Sequence, residues 1–195
     1  MRGAKVCLAM LDSQEMEKMQ QFLQAYGFQV VDMSSDGSSA IRRIRTLRPD
    51  LIIADYNLHG INGEEIARIA EEDHIAPAII IRPNEQLTLW SSSDRGWDFA
   101  YLYRPISKSA LIQTIQLVFM NYKKMEDLRG QIDKLKGDLE SRRLVEKAKG
   151  ILMEKHGLSE QEAYRRMQKN SMDKGLSMKE LSRAIITASE MDGIL

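Results

Sequence analysis

A single cysteine, Cys7, stands in the 195 residues, so no internal disulfide can form. Its neighbours Val6 and Leu8 suit a small buried hydrophobe, not a reactive thiol, which needs an electropositive and partly exposed site. Only three histidines occur, His59, His74 and His156, scattered and without a second thiol, which excludes a zinc-ligand spacing. No run approaches the roughly 18 uninterrupted apolar residues of a membrane span. The apolar run between Met1 and Asp12 is too short for a cleavable signal and ends in an acid, so a cytoplasmic chain without membrane contact is expected. No nucleophile–base pair, phosphate loop or metal constellation is present, which argues against an enzyme. Net charge is also absent, but the charges are unevenly spread. Residues 1–105 hold 11 Lys/Arg against 15 Asp/Glu, and residues 106–195 hold 17 against 13, so a polyanionic partner is expected at the C-terminal half.

What is present fits a soluble globular class, with 43% hydrophobic and 29% charged residues. The length suits one domain of about 100–150 residues with a smaller appendage. Short apolar runs at 5–10, 28–32, 51–55, 78–81 and 99–103 alternate with amphipathic stretches at 14–25, 38–47, 63–72 and 85–93. The runs are nearly continuous rather than alternating, as in strands covered on both faces. Strand–helix repetition of this kind predicts a doubly wound α/β fold with five parallel strands. In such sheets the functional crevice lies beyond the carboxyl ends of the strands, where Asp12, Asp55, Arg82 and Arg104 fall.

The pattern changes after Pro105. No proline stands between Ser107 and Glu154, and Leu111, Val118, Met125, Ile132 and Leu139 recur every seven residues. Thr114, Asn121, Leu128, Leu135 and Arg142 fill the partner positions, so the heptad seam is strongest from Met125 to Leu139. A parallel coiled-coil homodimer is the expectation. The plainer possibility is one long amphipathic helix lying on its own domain. Further on, His156-Gly157 ends the long helix, and Ser159-x-x-Glu162 and Ser177-x-x-Glu180 are capping boxes opening two shorter ones, separated by Gly175. Leu152, Ala163, Met167, Leu181 and Ile185 sit at helical spacings suited to a small shared core.

Leu51-Ile52-Ile53-Ala54-Asp55, followed by Gly63, with Arg104-Pro105 after the last strand and Tyr101 three residues before that pair, resembles the receiver domain of two-component response regulators. The resemblance covers about residues 4–120. It implies Asp55 as phosphoacceptor, an acidic pair holding Mg²⁺ at the end of the first strand, a Thr/Ser after strand four and a Lys before the proline. Here the acidic pair falls on Met10-Leu11, with only Asp12 acidic one place later, and Arg82 and Arg104 stand at the hydroxyl and lysine positions. The reading is a degenerate receiver that holds Mg²⁺ weakly, with no other cofactor, in which Arg82 pairs with Asp55 and imitates a phosphorylated state. The rival is a working receiver that uses Asp12 in a shifted register. Asp55-x-Asn57-x-His59-Gly60 half-matches a calcium loop but has Ile66 where a bidentate acid is required.

The stretch from Val145 through Lys149-Gly150-Ile151-Leu152-Met153-Glu154-Lys155 to Ser159, with Glu162-Ala163-Tyr164-Arg165-Arg166-Met167 and Ser171-Met172-Asp173, resembles the ANTAR family over about residues 141–191. That resemblance implies a three-helix module that binds paired hairpins in nascent leader RNA and prevents transcription termination, usually as a dimer. Lys147, Lys149, Lys155, Arg165, Arg166 and Lys169 supply charge for phosphates, and Tyr164 can stack on a loop base. Ala148 and Gly150 are small enough to let a nucleotide approach the backbone. The expected domains are a receiver-like unit at 1–120, a coiled-coil helix at 107–142 and an ANTAR unit at 141–195. The dimer seam is Met125, Leu128, Ile132, Leu135 and Leu139. Expected partners are a two-hairpin leader RNA, a second copy of the chain, and a sensor kinase or other regulatory protein. The alternative is a DNA-binding response regulator activated at Asp55. Its last two helices would form a helix-turn-helix around Gly175-Leu176-Ser177, although the final helix carries only Lys179 and Arg183 as cations.

Overall fold

The computed structural model describes residues 3–83 and 100–192. Five strands, β1 (Lys5–Ala9), β2 (Gln29–Ser34), β3 (Leu51–Asp55), β4 (Ala78–Arg82) and β5 (Ala100–Tyr103), form one parallel sheet in the order β2-β1-β3-β4-β5. Three helices connect the first four strands: α1 (Ser13–Ala25), α2 (Gly37–Leu47) and α3 (Gly63–Glu72). The helix expected at 85–93 lies outside the described residues. This is the doubly wound arrangement that the alternating runs predicted.

Alternate residues of each strand point to opposite faces. Val6, Leu8, Leu51, Ile53, Ile79 and Ile81 face α1 and join Met16 and Leu23 in one core layer. Cys7, Ala9, Ile52, Ala54 and Ile80 face the other way and pack on Ile44 of α2 and Ile66 of α3. Covering both faces is why these runs are apolar without interruption. Asp12, Asp36 and Asn62 each accept backbone N–H groups at the starts of α1, α2 and α3. β2 runs to Ser34, beyond the apolar run that announced it, because a register shift at Val6/Cys7 lets Met33 and Ser34 pair with Leu8 and Ala9.

After β5 the chain enters α4 (Lys108–His156), one helix of 49 residues. The chain divides into two compact units, Met1–Lys124 and Met125–Leu195, and α4 contributes to both. In the first unit Leu111, Ile115 and Val118 are buried in the layer that holds α1. The first two members of the seven-residue repeat therefore serve the receiver-like core. In the second unit the C-terminal part of α4 packs with α5 (Glu160–Lys174) and α6 (Met178–Asp192). Both capping boxes form: Ser159 and Glu162 exchange hydrogen bonds at the start of α5, and Ser177 and Glu180 do so at the start of α6. Gly175 ends α5 in the left-handed region at φ +62°. The core of this unit is Ala148, Ala163, Met167, Leu181 and Ile186, with Leu152 and Ile185 only partly buried at its margin. Among the described residues no helix is long and apolar enough to cross a membrane.

Candidate functional site

Asp55 is the last residue of β3, so the sheet delivers its carboxylate to the carboxyl-end crevice. Its side chain is 6% exposed. The backbone around it is tightly fitted. A Cβ on Gly63 would lie 2.3 Å from the Asp55 carbonyl oxygen, and one on Gly37 would lie 1.8 Å from that of Ile61. Glycine at these two places lets the loop after β3 close on the starts of α3 and α2.

Each carboxylate oxygen of Asp55 has a donor. The N–H of Leu11 donates to Oδ2 at 3.0 Å, and Arg104 Nη2 donates to Oδ1 at 2.5 Å. The same Nη2 reaches Glu15 Oε2 at 2.8 Å, while Arg104 Nε lies 3.1 and 3.0 Å from the two Glu15 oxygens. Arg104 thus bridges an acid of β3 and an acid of α1. Its peptide bond to Pro105 is cis. Arg82 does not pair with Asp55, contrary to the sequence expectation. It pairs with Glu64, and its guanidinium lies 4.6 Å from the Tyr56 ring centre and 4.5 Å from that of Tyr101. Tyr101 donates its hydroxyl to the same Glu64 oxygen at 2.8 Å. Burial, and then Glu64, push the Tyr101 hydroxyl up to about 12. The two aromatic faces and the acid at the start of α3 take Arg82 away from the acceptor.

Asp12 is also placed differently from a metal ligand. Its Oδ1 accepts the N–H groups of Gln14 and Glu15 at 2.8 and 3.1 Å, and these bonds hold its carboxyl below the usual range. Met10 is fully buried, Leu11 presents an apolar side chain, and both Asp55 oxygens are engaged. Among the described residues no cluster of three His, Cys, Asp or Glu that could hold a metal ion occurs. The residues present therefore do not fit the divalent cation that the receiver pattern implies. Sequence reasoning missed Glu15, Glu64 and Tyr56. Glu15 stands three residues after the cap Asp12, where an acid reads as part of the helix start, and its partner Arg104 is 89 residues away.

In the C-terminal unit Ala148 is fully buried in the small core, so it does not open the backbone to a nucleotide. A Cβ on Gly150 would meet nothing within 4 Å, so that position alone of the two is open. Lys149 is committed: its ammonium lies 2.6 Å from Glu146 and 2.8 Å from Glu160, tying α4 to the start of α5. Lys147 pairs with Glu190 of α6 at 3.0 Å. Lys155 is exposed at the end of α4. Tyr164, Arg165, Arg166 and Lys169 are all exposed on α5, Tyr164 by 45%. Ala163 and Met167 point to the core, while Gln161, Tyr164, Arg165, Gln168 and Met172, at positions i, i+3, i+4, i+7 and i+11, form one exposed stripe along α5. That face contains no acid; Glu162 and Asp173 flank Arg166 and Lys169 further round. On α6, Lys179 and Arg183 both bind Glu140, at 2.8 and 2.6 Å. Between the two cores Met125, Leu128, Ile132, Leu135 and Leu139 are exposed by 41–66%.

The response regulator receiver domain family matches residues 12–116, and the ANTAR domain family matches residues 133–186. The transcriptional regulatory protein PdtaR of Mycobacterium tuberculosis is 31% identical over 166 residues, covering 85% of this chain and 81% of that one. A nitrate regulatory protein of Klebsiella oxytoca is 38% identical over 79 residues, which cover 40% of this chain and 20% of that one. Among solved structures, the signal receiver domain of a modulated diguanylate cyclase from Desulfovibrio desulfuricans G20 superposes with a TM-score of 0.56 at 22% identity, covering 63% of this chain and 98% of that one. The fold, the position of Asp55 and the two matched segments agree: the chain belongs to the response regulators and joins a receiver domain to an ANTAR domain.

Proposed function

We propose that this protein is a transcription antitermination regulator that binds paired hairpins in nascent leader RNA as a dimer, with a receiver that works as scaffold or input domain without phosphoryl transfer. The observation that carries the RNA reading is the acid-free face of α5. Tyr164 offers a ring for a loop base, Arg165 a cation for phosphate, and Gln161 and Gln168 amides for base edges. Arg166 and Lys169 extend the positive charge round the helix, and Lys155 adds to it at the end of α4. Lys147 and Lys149 are spent on Glu190, Glu146 and Glu160, so their role in this reading is to hold the three helices in place.

A helix-turn-helix reading for DNA is less well supported, because Lys179 and Arg183, the cations of the last helix, are both held by Glu140. The dimer reading is supported by the exposed apolar stripe on α4, which a second copy can cover. The phosphate-independent reading is supported by Arg104, which occupies the Asp55 oxygen left over by the Leu11 N–H.

Gel shifts of the full chain against a two-hairpin RNA at two salt concentrations test the RNA reading. Arg165→Ala is expected to weaken binding and to flatten the salt slope by about one phosphate's worth. Tyr164→Ala is expected to cost roughly 1–3 kcal/mol with little salt dependence. Since Tyr164 is exposed, its melting curve is expected to stay close to wild type. Unchanged affinity in both folded variants would remove this face from the site.

A further inference from the structure

We propose that the stretch of α4 from Lys123 to Leu139 is a conditional helix, formed when two copies pair and opened when they separate, with Gly130 and Gly137 tying its order to the dimer. This inference rests on the dimer reading of the exposed apolar stripe. α4 is held at its two ends. Leu111, Ile115 and Val118 are buried in the receiver core, and Leu144, Val145 and Ala148 join the core of the C-terminal unit. Among the described residues, none from 123 to 139 belongs to a core, and all of them but Arg129 and Gly137 are exposed. The ion pair of Arg129 with Glu126, at 3.4 Å, joins neighbours one turn apart and brings no support from outside the helix.

Such a stretch is stable either by its own propensity or by pairing. A helix of this length without tertiary contacts is marginal even when built from good helix formers. Here it carries Gly130 and Gly137, each more costly in a helix interior than any residue but proline, and the weak formers Asp127, Asp133 and Asp138. The two glycines are seven residues apart. With Met125, Leu128, Ile132, Leu135 and Leu139 as the seam, both lie on the side of the helix turned away from it. A Cβ at either would meet nothing within 4 Å. Neither glycine makes room for the chain's own packing, and a second copy seated on the seam would not need them small. What remains is their effect on the backbone: they weaken the helix and leave the seam intact. One helix cannot bury the seam alone, so pairing supplies the stabilisation that the single chain lacks. Dimer formation then orders this segment, and dissociation releases it.

The experiment measures the dimer dissociation constant by sedimentation over a dilution series, for the full wild-type chain and for Gly130→Ala combined with Gly137→Ala. If pairing and helix formation are one event, alanine favours the paired chain alone, and the dimer is expected to tighten at least about tenfold. A helix already formed in the single chain would gain equally in both states. An unchanged dissociation constant would therefore overturn the proposal while leaving the dimer reading in place. A wild type that stays monomeric at every concentration would overturn the dimer reading, and this inference with it. Trypsin gives a second readout. Leu128→Gln combined with Leu135→Gln removes the seam at little cost in helix propensity. This monomer is expected to be cut at Lys134 and Lys136 at least about tenfold faster than the wild-type dimer, and adding the two alanines should slow the cutting again. Equal protection of Lys134 and Lys136 in the monomeric variant and in the dimer would overturn the proposal.

Discussion

Asp55 lies among groups that satisfy it without any ligand, and the loss of one of them has a readable consequence. Arg104→Ala leaves a nearly buried carboxylate with only the Leu11 N–H, so the receiver is expected to lose about 1–3 kcal/mol in chemical denaturation. Arg104→Lys should recover part of this, since an ammonium restores the charge but not the two-pronged contact with Glu15. Asp55 itself was legible in the sequence, because an acid at the end of a fully apolar run is placed by the sheet. Its partner was not. Arg82 and Arg104 both stand at strand ends, and only the rings of Tyr56 and Tyr101, with Glu64, decide which of them turns away. A contact between Arg104 and Glu15 across 89 residues leaves no trace in spacing. At Ala148 the same limit shows on a smaller scale: a small side chain reads equally as an opening or as a tight helix contact, and the structure puts it in the core.

On the scale of the element, the helices were the most readable parts, since caps and glycines announce their ends locally. The two capping boxes formed where the Ser-x-x-Glu spacing placed them, and Gly175 took the left-handed cap. On the final helix Leu181 is buried and Ile185 packs partly buried against the core, while the neighbouring Ile186, not picked out in the sequence, is buried as well. Two adjacent isoleucines give no signal to choose between them. The capping acids also set a pH dependence. The Ser159 hydroxyl and N–H hold Glu162, and the Ser177 groups hold Glu180, below their ordinary 4.5. Acids lowered in the folded state stabilise it above pH 4.5, and that contribution is lost as pH falls through their folded values. Circular dichroism melts are expected to show a lower transition at about pH 3.5 than at about pH 6, and Glu162→Gln should shrink the difference. Glycines inside elements divide by their surroundings. A Cβ at Gly130 or Gly137 of α4 meets nothing within 4 Å, so alanine there should stabilise the helix by up to about 1 kcal/mol each. Alanine at Gly37 would meet the Ile61 carbonyl and should destabilise the receiver by about 1–3 kcal/mol or more.

For the molecule as a whole, α4 joins the parts: its first turns complete the receiver core, its last turns complete the ANTAR core, and the stretch between carries the exposed stripe. The seven-residue repeat was visible in the sequence from Leu111 onward. What it could not show is that Leu111 and Val118 are used within the chain, leaving Met125 to Leu139 as the segment open to a second copy. Light scattering is expected to give a dimer for the wild type and a monomer for Leu128→Lys combined with Leu135→Lys. A wild type that is monomeric at micromolar concentration would contradict this.

The most direct measurement is the affinity of the purified full chain for a two-hairpin leader RNA, taken with and without acetyl phosphate and Mg²⁺, beside a duplex DNA of the same sequence. The expected result is tight binding to the RNA, weak binding to the DNA, and no change on adding the phosphodonor. Tight binding to the DNA alone, or RNA binding that arises only after the phosphodonor is added, would contradict the account.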